Sequence, residues 1–170
     1  CANLAWMMAQ SGKQVVLVDC DTNISRMQSV FQLSNEVGLS DVLMGQAAVM
    51  DALQQTDTQG LKVMTSGIVE PGVEIFSQNT RLRGVISELA GMADIVLLDS
   101  PAIMAVADVT DLVTEVDAIA MVVRRGSTSR DALDEACKQL DKLNVRNIGF
   151  IINHAEEDAL ANNYAYYHAS

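Results

Sequence analysis

Three apolar runs in this 170-residue sequence end on residues that a buried strand does not need. Gln14-Val-Val-Leu-Val-Asp19 is followed at once by Cys20 and Asp21. Asp94-Ile-Val-Leu-Leu-Asp99 is followed by Ser100-Pro101, and a third run, Asn147 to Asn153, stops on an amide. Short continuous apolar runs are what parallel strands covered on both faces look like, and ligands of open parallel sheets bind beyond the carboxyl ends of the strands. Two such strands ending in Asp suggest a magnesium site, because magnesium is a hard cation that takes carboxylate oxygen directly or through water. Either Asp alone would serve equally well to cap the turn or helix that follows it.

The elements that must hold these residues are legible as a strand–helix alternation. Helical texture from Ala2 runs to Ser11 and stops at Gly12; it has no polar cap before it, so Cys1 is expected to lie inside a helix of a longer chain. Trp6, Met7 and Met8 are expected on its buried side. Short helices are expected over Ser25–Gln32 and within Gly38–Gly45, the second capped by Ser40. Leu61–Thr65 is a further strand, and Ser66–Gly72 is a loop marked by Gly67, Pro71 and Gly72. A long amphipathic helix fits Val73–Ala90. Helices over Asp108–Val116 and Thr128–Leu143 flank a strand over Ala118–Arg124. This alternation implies an α/β fold, a parallel sheet with helices on both faces. Residues 1–153 form its domain, and 154–170, where the apolar period is lost, form a flexible C-terminal tail.

Composition narrows the chemistry. Net charge is −11 and the sequence pI is about 4.4, so the surface repels a phosphate backbone and disfavours nucleic acid as a partner. No apolar run reaches the roughly 18 residues of a membrane-spanning helix. Cys1, Cys20 and Cys137 are few, odd in number and unpatterned, which fits a reducing cytosol better than a disulfide framework. His154 and His168 have no second ligand at metal spacing and read as solvated residues.

In order and spacing, the motifs resemble the bacterial tyrosine kinases of capsule and exopolysaccharide biosynthesis, a branch of the P-loop NTPases of deviant-Walker (MinD/ParA-like) architecture. Val15-Val-Leu-Val-Asp19-Cys20-Asp21 resembles their second, deviant Walker motif, and Ile95-Val-Leu-Leu-Asp99-Ser100-Pro101-Ala102 their Walker B motif. Ala2-Asn3-Leu4-Ala5 resembles the helix that follows the P-loop, which would place the P-loop itself before residue 1. Gly38-Leu-Ser-Asp-Val-Leu-Met-Gly45, Pro71-Gly-Val-Glu-Ile-Phe-Ser77, Val122-Val-Arg-Arg-Gly-Ser-Thr128 and Ile148-Gly-Phe-Ile-Ile-Asn153 resemble later blocks, so the likeness covers about residues 1–153.

The resemblance implies ATP and Mg2+ as cofactors. It would put Asp19 and Asp21 beside the γ-phosphate and magnesium, one of them as base for a tyrosine hydroxyl, and have Asp99 hold magnesium through water together with Asp21. Asn153 would face the adenine, with Arg124 lining the same pocket. The P-loop would wrap the phosphates with backbone N–H groups. Tyr164, Tyr166 and Tyr167, all the tyrosines of the chain, fall in its last seven residues, resembling the family's C-terminal autophosphorylation cluster. The implied setting is a homo-oligomer at the inner face of the cell membrane, held there by a fused or separate polysaccharide co-polymerase. The sequence departs from the pattern at Asn23-Ile24-Ser25, where the family has Arg-Arg-Pro, and at Ala102, where it has a second Pro. Two other readings share the fold: a MinD/ParA-type ATPase that positions cell-division or DNA-partition machinery, and a non-catalytic nucleotide-binding regulator of polysaccharide synthesis. The tyrosine cluster and the Gly38–Gly45 block favour the kinase.

Overall fold

The computed structural model describes residues 1–22, 24–70, 73, 75–76, 80–103, 109–143 and 147–155. The chain divides into two compact units, Cys1–Glu115 and Val116–Ser170.

The first unit is built on β1 (Val15–Asp19), which runs parallel to β3 (Leu61–Met64) on one side and to β4 (Ile95–Asp99) on the other. Every residue of β1 is buried. The period-2 alternation of a strand explains why the run must be apolar throughout. Val16 and Val18 enter a cluster with Leu39, Val42, Leu43, Val85 and Leu89, contributed by α3 (Leu39–Met44) and α5 (Leu82–Ala90). Val15 and Leu17 face the other way, onto Ala5 and Ala9 of α1 (Ala2–Gln10) and Met27 of α2 (Met27–Phe31). Helices therefore cover both faces, as the alternation implies. Asp19 continues the parity of Val15 and Leu17, and Asp99 that of Leu97, so both carboxylates belong to the α1–α2 side of the sheet.

Five expectations are corrected. First, the sheet is not wholly parallel. After α4 (Val49–Ala52), β2 (Leu53–Gln55) pairs antiparallel with β3 and forms the edge in the order β2-β3-β1-β4. Leu-Gln-Gln carries no strand signature of its own; its pairing comes from the turn at Thr56–Gly60 folding it back on β3. Second, the long helix begins at Leu82, not at Val73. Ile75 and Phe76 are buried as the pattern requires, yet their backbone is not helical, so the apolar spacing reported burial and not helix. Third, Ser40 does not cap α3. Gly38 does, with its N–H donating to the Asp41 carboxylate at 2.8 Å. Any side chain at Gly38 would run into the backbone of Thr65 and Gly67, against which this turn is bonded. Fourth, Trp6 and Met7 are half or more exposed rather than core, because the sheet-facing side of α1 is filled by the small residues Ala5 and Ala9. Fifth, the remaining helices are shorter than the sequence pattern: α6 is Val109–Thr114.

The second unit pairs β5 (Ile119–Arg124) with β6 (Ile148–Asn153) in parallel, with α7 (Arg130–Lys142) between them in sequence. Ser129 caps α7, its hydroxyl accepting the Ala132 N–H at 3.1 Å, and Ala136 and Leu140 are its buried residues. Among the described residues, no helix is long and apolar enough to cross a membrane.

Candidate functional site

The parallel register sets Asp19 level with Asp99 at the carboxyl ends of adjacent strands. The Cys20 N–H donates to the Asp99 carbonyl at 2.8 Å, so the ladder continues one residue past the strand and locks the two ends together. Asp19 is 1% exposed. Its oxygens are all engaged: Oδ1 accepts the Asp21 N–H at 3.1 Å, while Oδ2 accepts the Ser25 hydroxyl at 2.8 Å and, at 3.4 Å, the Met27 N–H. Asp21 is half-buried, and its Oδ1 accepts the Ile24 N–H at 2.9 Å, closing a turn typical of Asp.

Electrostatics mark this corner. Burial raises the Asp19 carboxyl above its ordinary value, the hydrogen bonds from Ser25, Asp21 and Met27 oppose this, and the Asp99 charge adds to it. Burial also raises Asp99, reinforced by the Asp21 charge. Buried carboxylates shifted in this way at adjacent strand ends are candidates for a functional site. Among the described residues, no group of three or more His, Cys, Asp or Glu converges on one point. The donor set therefore fits magnesium, which is commonly held by one or two carboxylates with water and phosphate oxygens completing the shell, better than a metal caged by protein alone.

Cys20 lies between the two Asp positions. Its thiol is pushed well above the usual thiol range, chiefly by burial and further by the charges of Asp19 and Asp99. It is expected to stay unmodified in the native protein while exposed Cys1 reacts with iodoacetamide, a difference peptide mass spectrometry reads directly. Equal labelling of both would contradict the burial of this strand end.

The second unit brings Arg124 and Asn153 together as register partners at the ends of β5 and β6. The Arg125 N–H donates to the Asn153 carbonyl at 3.0 Å, and Asn153 Oδ1 accepts the His154 N–H at 2.9 Å. His154 itself is exposed. Tyr164, Tyr166, Tyr167 and His168 lie outside the described residues, as does Asn23. The sequence reading did not assign Ser25 or Gln28 to the site.

This geometry, carboxylates at adjacent parallel strand ends over a sheet covered on both faces, is that of an AAA-type nucleotide-binding fold, and the family model for the AAA domain matches residues 1–150. The tyrosine-protein kinase YwqD of Bacillus subtilis (strain 168) is 31% identical over 98% of this chain and 70% of its own length. Among solved structures, the kinase domain of Escherichia coli tyrosine kinase ETK superposes with a TM-score of 0.81 at 28% identity, covering 91% of this chain and 62% of that one. The cell-division ATPase MinD of Pyrococcus furiosus superposes with a TM-score of 0.72 at 25% identity, covering 89% and 63%. The chain belongs to the AAA domain family and, within it, to the bacterial tyrosine-protein kinases.

Proposed function

We propose that this chain carries out ATP-dependent transfer of phosphate to tyrosine, and that its own tyrosines are the first acceptors. The observation that carries this reading is the pairing of Asp19 with Asp99 at the strand ends, with half-buried Asp21 on the loop above them. Phosphoryl transfer asks mainly for positioning and charge neutralisation, and magnesium held here would supply positive charge against the phosphate. Asp99 and Asp21 would hold it, Asp99 through water. Asp19 and Asp21 are the two candidate bases for the tyrosine hydroxyl. Arg124 and Asn153 would bind the base end of ATP.

In this reading residues 1–153 are the nucleotide-binding kinase domain. Tyr164, Tyr166 and Tyr167 would be presented to a neighbouring copy in a homo-oligomer. The activity would regulate the chain length and export of capsular polysaccharide or exopolysaccharide, at the inner face of the cell membrane, through a fused or separate polysaccharide co-polymerase. The test is magnesium-dependent transfer of label from γ-labelled ATP to tyrosine in the full-length protein. Hydrolysis of ATP without transfer would overturn it.

A further inference from the structure

Asp19 is a buried carboxylate at the end of β1, and Asp21, Ser25 and Met27 all bond to it. Two of its three partners are backbone: the N–H of Asp21 at 3.1 Å and the N–H of Met27 at 3.4 Å. The third is a side chain, the Ser25 hydroxyl at 2.8 Å from Oδ2. That hydroxyl also stands 2.8 Å from Gln28 Oε1, and Gln28 Nε2 donates to the Ser25 carbonyl at 3.3 Å, so Ser25 is gripped from both ends. A hydroxyl between a carboxylate and an amide oxygen gives its single hydrogen to the carboxylate, since a bond to an ionised acceptor is the stronger.

The consequence falls on Asp21. Its N–H is tied to one oxygen of Asp19 and its carboxylate closes the turn on Ile24, one residue before Ser25. The short segment from Asp21 to Ser25 is thereby fastened at both ends to the same carboxylate. Removing the Ser25 hydroxyl would leave Oδ2 with the long Met27 contact alone, in a setting where an unmet carboxylate oxygen is costly. The segment that carries Asp21 would then lose its side-chain tie to Asp19 at the Ser25 end, keeping only the longer Met27 contact there.

We propose that Ser25 is a positioning residue: its bond to Asp19 clasps the Cys20–Met27 loop and so fixes where the Asp21 carboxylate stands against the reacting phosphate. The part concerning phosphate rests on the nucleotide-binding reading given above. The clasp itself does not. Ser25 occupies the place where the tyrosine kinases this chain resembles have the proline of Arg-Arg-Pro, a residue with no hydroxyl to give.

The experiment compares full-length wild type, Ser25→Ala and Ser25→Thr by two readouts. Amide hydrogen exchange reads the clasp without reference to activity. In Ser25→Ala the Asp21 and Met27 amides should exchange at least about tenfold faster, and in Ser25→Thr, which keeps the hydroxyl, they should not. Magnesium-dependent ATP turnover reads the positioning. In Ser25→Ala kcat should fall about tenfold while KM for ATP changes less than about twofold, with Thr restoring most of the loss. Calorimetric stoichiometry of Mg-ATP binding near one per chain in all three proteins keeps a fall in active fraction from passing as a fall in kcat. Unchanged exchange in Ser25→Ala overturns the clasp, and faster exchange with unchanged kcat overturns the positioning role. A wild type that turns over ATP but labels no tyrosine would sink the kinase reading and leave Ser25 judged on the same two readouts. A wild type that turns over no ATP, with binding intact, would overturn the positioning role along with the kinase.

Discussion

Asp99→Asn is expected to lower magnesium-dependent turnover by about 100-fold while making the metal-free protein more stable at neutral pH. The two effects have one cause. The amide is nearly isosteric with the carboxylate, so the end of β4 and its register with Asp19 survive, but the charge that would organise magnesium through water is gone; losing an outer-shell partner of a metal typically costs 10–100-fold. The stability gain follows from the sign of the pKa displacement. Burial holds the Asp99 carboxyl above its unfolded value of 3.8, so the native state binds the proton more tightly than the unfolded state. The stabilising contribution is complete below that unfolded value and is lost as pH rises through the raised native value. Wild type should therefore lose melting temperature between acid and neutral pH more steeply than Asp99→Asn. Added magnesium should raise the melting temperature of wild type and do little for the variant. Melting curves across pH, with and without magnesium, decide this. A variant less stable than wild type at neutral pH without metal would show that Asp99 is a structural residue, and unchanged turnover would remove it from the site.

Replacing Tyr164, Tyr166 and Tyr167 together by Phe is expected to abolish phosphate incorporation while leaving ATP hydrolysis within about twofold of wild type. These are all the tyrosines of the chain, and they fall in its last seven residues, where the sequence has lost the apolar period. A segment of that kind reaches across an interface at modest ordering cost. Each phosphate adds about −1.5 to −2 charge. Placed beside Glu156, Glu157 and Asp158 on a chain already at −11, the modified tail should be repelled by a neighbouring acidic site. The phosphorylated wild type is therefore expected to scatter light as a smaller particle than the Phe variant under the same conditions. Persistent incorporation in the Phe variant would place the acceptors elsewhere, and an unchanged particle size would remove the repulsive brake alone.

The sequence showed β1 because it is buried on both faces: nothing but a continuous apolar run satisfies the positions of Val15 to Val18. Period and burial are the same fact there. β4 carries the same kind of run although it is only half-buried at the end of the strand order, and the Asp that ends each run stands out against it. The spacing through Ile75, Phe76, Leu82, Val85 and Leu89 misled for the complementary reason. Those residues are all buried, but burial in a loop and burial on a helix face leave similar traces. β2 was illegible because an edge strand of Leu-Gln-Gln is made by the turn beyond it rather than by its own propensities. At the site, Asp19, Asp21 and Asp99 were readable from type and position. The grip of Ser25 on Asp19 was not, since it depends on how a loop closes, and no pattern of residue types states that.

The central claim is that these carboxylates serve phosphate transfer to tyrosine. Mass spectrometry of the full-length protein after incubation with Mg-ATP tests it most directly. The account predicts phosphate on one or more of Tyr164, Tyr166 and Tyr167, absent when magnesium is withheld. Full ATP hydrolysis with all three tyrosines bare would contradict it.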